Sequence, residues 1–243
     1  MSTFLETAPW VYSWLKNLEL KFGQSIESGS LTVIPVVVES GKKKIAGSID
    51  KIDPAELEAV ESELEASFWQ GKSNHQIIKA VGKSFLCVPF SKSSNIKQSS
   101  REFGLVVANE AKSLACNTMN IVQSSEVLAG QFLVGFVNGL YASSGFKKRR
   151  EEPSFGISTI NCLGAIDKEE INVSCALAKA QLVTRHLGDA PANWLNPAKF
   201  ADVAKELSTE FGYKVKVLDK SEIIKEKMGS LMSVAQASVN EPR

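Results

Sequence analysis

Four short strand-like segments, at residues 31–38, 85–90, 119–122 and 157–163, alternate with segments of helical period, and this alternation narrows the possible folds more than any other feature. The run at 31–38 is built almost wholly from Leu, Val and Ile and has the length of a strand buried on both faces. Pro35 interrupts it, which predicts a bulge or an edge position. Asp53 and Pro54 then announce a helix, because Asp accepts hydrogen bonds from first-turn amides and Pro fits the first helical position. Leu57, Val60, Leu64 and Phe68 follow at helical spacing, while Glu56, Glu58, Glu61, Glu63 and Glu65 read as its solvated face. Residues 102–115 predict a second helix, with Val107, Ala111 and Leu114 on one side. Strands and helices in this order predict an α/β sheet covered by helices.

The longest apolar stretch, residues 127–141, is shorter than the ~20 residues a bilayer requires and contains Gln131 and Asn138. It reads as a buried helix in which Gly130, Gly135 and Gly139 allow close approach of neighbours. A chain of 243 residues with 44% apolar content can bury one large core or two smaller ones. Its net charge of +1 gives no global attraction for nucleic acid or membranes. Cys87, Cys116, Cys162 and Cys175 have no C-x-x-C spacing and read as buried thiols in a reducing compartment. The N-terminus carries Glu6 and lacks a basic region followed by an apolar run, so the reading is cytosolic.

Beyond Gly164 the pattern changes. Asp167 and Glu170 have capping-box spacing and start a long helix, with Ala176, Ala180, Val183 and Leu187 on one face and an end at Gly188. Asn196 and Pro197 start another helix with Phe200, Val203, Ala204, Leu207 and Phe211 as its stripe, closed by Gly212. Residues 214–218 alternate as a half-exposed strand would, Asp219 and Glu222 cap a short helix, and residues 231–235 predict the start of a further strand. The expected organisation is residues 1–164 as one α/β domain, 165–188 as a linker helix, and 189–243 as the first αβαβ elements of a second, incomplete domain.

Two stretches in this half carry a family resemblance. Arg185, Leu187, Pro191, Asn193 and Pro197 fit the pattern R-x-L-x-N-x-P-x-N-x-x-x-P, with Asp189 in the Asn place. Met228, Gly229, Val234 and Ser238 fit M-G-x-x-x-x-V-x-x-G-S, with Ala237 in the second Gly place. Both resemble segments of the leucyl aminopeptidases, the M17 metallopeptidases. The resemblance implies a macro-domain-like N-terminal α/β domain, a linker helix and the start of a peptidase domain. For the full-length protein it implies cytoplasmic removal of N-terminal Leu and similar residues from peptides. The catalyst would be two divalent metals, zinc with manganese or magnesium tolerated at one site, within a homohexamer. The family's metal-binding Lys, Asp and Glu positions are not matched before Arg243, so the resemblance assigns no catalytic, cofactor-binding or metal-ligating residue to this chain.

The residues themselves agree. A zinc site built on histidines needs more than the two available, and His75 and His186 stand far apart with no H-E-x-x-H pattern. His186, at a helix end, reads as structural. Gly71 and Gly82 are each followed by Lys-Ser, but Ala66 and Ile77 stand where a phosphate loop needs its first glycine, so both read as turns. Two alternatives to the peptidase reading remain at this level. A nucleotide-binding or regulatory module would use the strand ends of the first domain. Nucleic-acid binding would use Lys147, Lys148, Arg149 and Arg150, but Glu151 and Glu152 follow at once and favour a solvated loop.

Overall fold

The computed structural model describes residues 4–23, 25–26, 29–40, 42–47, 49, 51–66, 75–114, 116–143, 146 and 155–243, with backbone only at Leu5, Glu6, Glu65 and Ala66. The expected Phe68, Gly71–Ser73 and Lys147–Pro153 features lie outside these residues. The chain divides into two compact units. One comprises described residues of Pro9–Ala142 and Glu151–Leu182, the other those of Met1–Ala8, Ser143–Arg150 and Val183–Arg243.

The elements, in chain order, are α1 (Phe4–Thr7), α2 (Trp10–Asn17), β1 (Glu19–Lys21), β2 (Leu31–Glu39), β3 (Lys42–Ile45), α3 (Pro54–Ala66), β4 (Gln76–Ala80), β5 (Lys83–Pro89), α4 (Ile96–Ala111), β6 (Thr118–Val122), α5 (Ala129–Leu140), β7 (Thr159–Leu163), α6 (Lys168–Asp189), α7 (Pro197–Phe211), α8 (Lys220–Lys225) and α9 (Gly229–Ala235). The larger unit is a sheet in the order β1-β7-β6-β2-β5-β4, with β3 paired to β2. Pairings β1–β7, β7–β6, β6–β2 and β2–β5 are parallel, whereas β4–β5 and β2–β3 are antiparallel.

One face of the sheet packs Ile34, Val36, Phe85, Cys87 and Val122 against Val60 and Leu64 of α3. The other face meets α4 and α5, where Phe90, Phe103, Phe132 and Phe136 form successive ring contacts 5.5–5.9 Å apart. Helix α3 starts as the sequence predicts, Asp53 accepting from the Ala55 N–H at 2.8 Å. Helix α4 starts six residues earlier than predicted. Asn95 caps it by accepting from the Lys97 and Gln98 amides, and the polar first turn hides this start from an apolar-period reading.

Pro35 is neither at a sheet edge nor at a bulge. It pairs in register with Val88 inside β2, between β5 and the β6/β3 side. Val36 O accepts from Phe90 N–H on the β5 side, and Pro35 O accepts from Ala46 N–H on the other. Successive residues of a strand face opposite neighbours, so the Pro35 nitrogen points away from β5. There β2 changes partner from β6, paired at Leu31 and Thr32, to β3, paired from Val36 onward, and no ladder bond is lost.

Three further expectations are corrected. Glu56 is not part of a solvated face: it is 5% exposed and ion-paired with Lys83, the stem of that lysine lying on β5. The buried stripe of α6 is Ile171, Ser174, Ala178, Leu182 and His186, with Ala176 and Ala180 exposed and Val183 and Leu187 half-buried. Small and apolar residues surround this helix, Val173 and Leu177 being exposed too, so apolar periodicity alone does not select its inner face. Residues 214–218 form no strand, and residues 231–235 are helical. A strand needs a ladder partner, and none pairs with either segment among the described residues. The second instead closes its bonds locally, Met232 N to Met228 O and Gln236 N to Met232 O. The fold is thus α/β through its sheet, with the smaller unit helical in its described elements.

In that unit Asn196 caps α7 through the Lys199 N–H at 2.9 Å, Pro197 occupies the first turn, and Gly212 closes the helix with φ 73°. Asp219 and Glu222 make the predicted reciprocal box at α8. Asp167 accepts from the Glu169 N–H at the start of α6.

Candidate functional site

In an open α/β sheet a small ligand is expected beyond the carboxyl ends of the strands, where the strand order reverses. Here the chain runs from β2 outward to β5 and then returns past it to β6, so the reversal lies between β2 and β6. The crevice there has a volume of about 10 Å³ and is lined by Val33, Pro35, Ile121, Val122, Val127 and Phe132, among others. That volume is about one water, and no polar side chain faces it. The amides at the nearby start of α5 are taken by the chain's own side chains. Ser124 Oγ accepts from Val127 N–H at 3.0 Å, Ser100 Oγ from Leu128 N–H at 2.9 Å, and Gln123 Oε1 from Ala129 N–H at 3.0 Å. A phosphate arriving there would have to displace three satisfied hydrogen bonds. The nucleotide-module reading therefore finds no seat at this crevice.

A second cluster of polar groups lies inside the sheet. Asn120 on β6 donates both amide hydrogens, to Ser30 Oγ at 2.7 Å and Thr32 Oγ1 at 3.0 Å. Its carbonyl accepts from Asn161 Nδ2 on β7 at 3.0 Å, and Asn161 Oδ1 accepts from Gly23 N–H at 2.9 Å. All four side chains are buried. The two amides bond each other and their neighbours along the row, which makes it a structural network.

The residues singled out by motif lie in the smaller unit. Leu187 is half-buried beside Phe4, Val203 and Leu207. Pro191 O accepts from the Trp194 and Leu195 amides, forming the turn that leads to the Asn196 cap. Trp194 lies edge-on to Phe146 with centroids 5.0 Å apart, and the Lys199 ammonium sits 5.1 Å above the Trp194 ring. His186, in the last turn of α6, is 1% exposed, stacked on Phe146 at 4.6 Å and edge-on to Phe4 at 5.4 Å, so it belongs to the core of this unit. His75, in the other unit, pairs with Glu110.

A cleft of about 260 Å³ opens in the smaller unit, lined by Pro197, Phe200, Ala204, Val217, Ile223 and Leu231 with further residues that include Lys216 and Arg243. It is apolar, and it takes in Met228 of the second motif. No single residue of the sequence reading foretold it. Its signal is the combined apolar surplus of the α7 stripe and the 228–235 stretch, whose Phe200, Met228, Leu231 and Val234 remain exposed.

Among the described residues no group of three His, Cys, Asp or Glu side chains converges as a metal would need. In the smaller unit the carboxylates whose contacts are resolved serve the fold: Asp219 and Glu222 cap α8, and Glu206 accepts from the Phe4 N–H at 3.0 Å. The thiols are similarly withdrawn. Burial pushes Cys87 and Cys162 up to about 12 and Cys175 to about 11, with the nearby Lys43 ammonium opposing the shift at Cys87. Cys87 and Cys162 are fully buried, Cys116 and Cys175 partly so.

The model of the cytosol aminopeptidase family's catalytic domain matches residues 182–243. That segment is similar to the opening of that catalytic domain. Beyond it, the chain is 24% identical over 219 residues to a probable cytosol aminopeptidase of Rippkaea orientalis, covering 85% of this chain and 44% of that one. It is 34% identical over 113 residues to a probable cytosol aminopeptidase of a Sulfurihydrogenibium species, covering 45% and 22%. A tomato leucine aminopeptidase mutant of known structure shares the fold with a TM-score of 0.69 at 20% identity, over 93% of this chain and 49% of that chain. The chain thus spans less than half the length of the cytosol aminopeptidases it resembles. Among the described residues, no helix is long and apolar enough to cross a membrane.

Proposed function

We propose that this chain is the front portion of a cytoplasmic leucyl aminopeptidase of the M17 type, supplying an N-terminal domain and scaffold surfaces, while the chemistry belongs to the whole protein. The observation that carries this reading is the family match over residues 182–243, supported by similarity to cytosol aminopeptidases over 85% of the chain. In this reading residues 1–164 form the macro-like domain, 165–188 the linker helix and 189–243 the beginning of the catalytic domain. The whole protein removes N-terminal Leu and similar residues from peptides and assembles as a homohexamer. Two divalent metals, zinc with manganese or magnesium at one site, would polarise the scissile carbonyl and activate water. The described residues do not fit that metal pair, because their carboxylates do not converge, and no catalytic step is assigned to them.

The test compares two products of one reading frame. The whole reading frame, purified with manganese and zinc, is expected to release leucine from a leucyl amide in a chelator-sensitive way. The 243-residue chain is expected to retain no stoichiometric zinc through gel filtration and to leave the amide intact. Chelator-sensitive hydrolysis by the 243-residue chain would overturn the scaffold assignment. A whole reading frame without peptidase activity would overturn the functional reading itself.

A further inference from the structure

Helix α1 is a single turn, too short to hold its shape alone, because helix nucleation costs more than one turn returns. Its order comes from what it touches in the smaller unit. The Phe4 ring is fully buried against Val203 and Leu207 of α7, with Ala8, Val183, Leu187 and Trp194 packed around them. The Phe4 N–H donates to Glu206 at 3.0 Å. The Thr7 hydroxyl donates to Phe4 O at 3.0 Å, which leaves its oxygen to accept from His186 Nε2, 3.2 Å away. Phe4 therefore enters an apolar pocket, while its backbone is held at the N–H by a carboxylate and at the carbonyl through a hydroxyl and an imidazole.

We infer that the end of α6 and the inner face of α7 form a binding site for an aromatic-led peptide, and that residues 4–8 of this chain are its resident ligand. The recognised chemistry is one aromatic side chain, its own N–H as donor, and a hydroxyl three residues later that accepts from an imidazole. Everything that reads the segment lies on residues 183–207, within the aminopeptidase segment, although the segment itself stands some 180 residues earlier in the chain. A peptide anchored this way docks and undocks as a local event, below the cost of opening the sheet. This inference concerns a protein–peptide site and does not depend on any peptidase activity.

Hydrogen exchange on the full chain tests it. Phe4→Ala is expected to accelerate exchange of the α7 amides from Val203 to Leu207 about a hundredfold, leaving those of β5 and β6 unchanged. Acetyl-Phe-Leu-Glu-Thr-Ala-amide, added to that variant, is expected to restore their protection saturably, and the same peptide with Ala in the Phe place is expected not to. The milder Phe4→Leu gives the same local pattern at about tenfold, so the test survives a poorly folding Phe4→Ala. Acceleration spread equally over both units would overturn the inference, because Phe4 would then be one more core residue. Unchanged α7 exchange, or no rescue by millimolar peptide, would overturn it as well.

Discussion

Val81 occupies a position that a β-branched residue takes only with strain. It and Gly82 form the two-residue connection between β4 and β5, with φ of 50° and 73°, the sign that a primed hairpin turn demands at both places. Val81 is 67% exposed, so it gains little packing in return. Val81→Asn is expected to raise the unfolding free energy by about 1 kcal/mol, seen as a higher urea midpoint at unchanged slope. The thiols make a second residue-scale prediction. Cys87, Cys162 and Cys175 hold their protons to higher pH when folded than an unfolded thiol, which ionises near about 8.5. The folded pKa is the raised one, so this stability is whole below the unfolded value and is lost as pH climbs from there toward about 12. Denaturation followed from mildly to strongly alkaline pH is expected to show that decline, and Cys87→Ala to flatten it. Iodoacetamide at pH 8 is expected to leave Cys87 and Cys162 unmodified.

Among the elements, α4 and α5 cross at close range, through Gly104, Gly135 and Gly139. A Cβ placed on Gly135 would lie 1.9 Å from Arg101 O, a backbone atom that cannot swing aside. Gly135→Ala is expected to cost about 3 kcal/mol or more, measured by chemical denaturation. Gly188→Ala, in α6 with nothing within 4 Å of the added atom, is expected to gain about 0.5–1 kcal/mol by helix propensity. Sequence discloses close approach here because glycines in an apolar helix have few other uses: Gly135 and Gly139 face α4, while Gly130 faces Ser174 and Glu170 of α6. It discloses β2, β5, β6 and β7 for a similar reason, since strands buried on both faces are written mostly in apolar residues, here interrupted by Pro35, Asn120 and Asn161. It hides β3, a Lys-Lys-Lys-Ile edge, and β4, whose two Ile stand among polar residues, because only their neighbours give them an inner side. The same reasoning explains the misread 231–235: Leu, Met, Val and Ala suit strand and helix alike, and the presence of a ladder partner decides. At the candidate site, the caps at Asn196 and Asp219 were legible because capping is local chemistry. The His186–Phe146–Phe4 contacts were not, since residues so far apart in sequence leave no shared pattern.

For the molecule as a whole, the distribution of apolar surface matters more than its amount. Phe200, Ile224, Leu231 and Val234 lie exposed in the smaller unit, around or beside its 260 Å³ cleft. Surface of this kind binds partners or dyes. The chain is expected to enhance the fluorescence of anilinonaphthalene sulfonate, and Leu231→Lys with Val234→Lys to remove most of that enhancement without loss of helical circular dichroism. The larger unit bears a different kind of constraint. In the row from Ser30 and Thr32 through Asn120 to Asn161 and Gly23, each group is hydrogen-bonded to the next, and even the missing side chain at Gly23 is needed, since a Cβ there would meet Asn161 Oδ1 at 2.6 Å. Changing one member leaves the others with buried, unanswered groups. These five positions therefore behave as a single inherited character: a lineage can keep the row or rewrite it wholesale, and each one-letter step between those two states passes through a less stable protein.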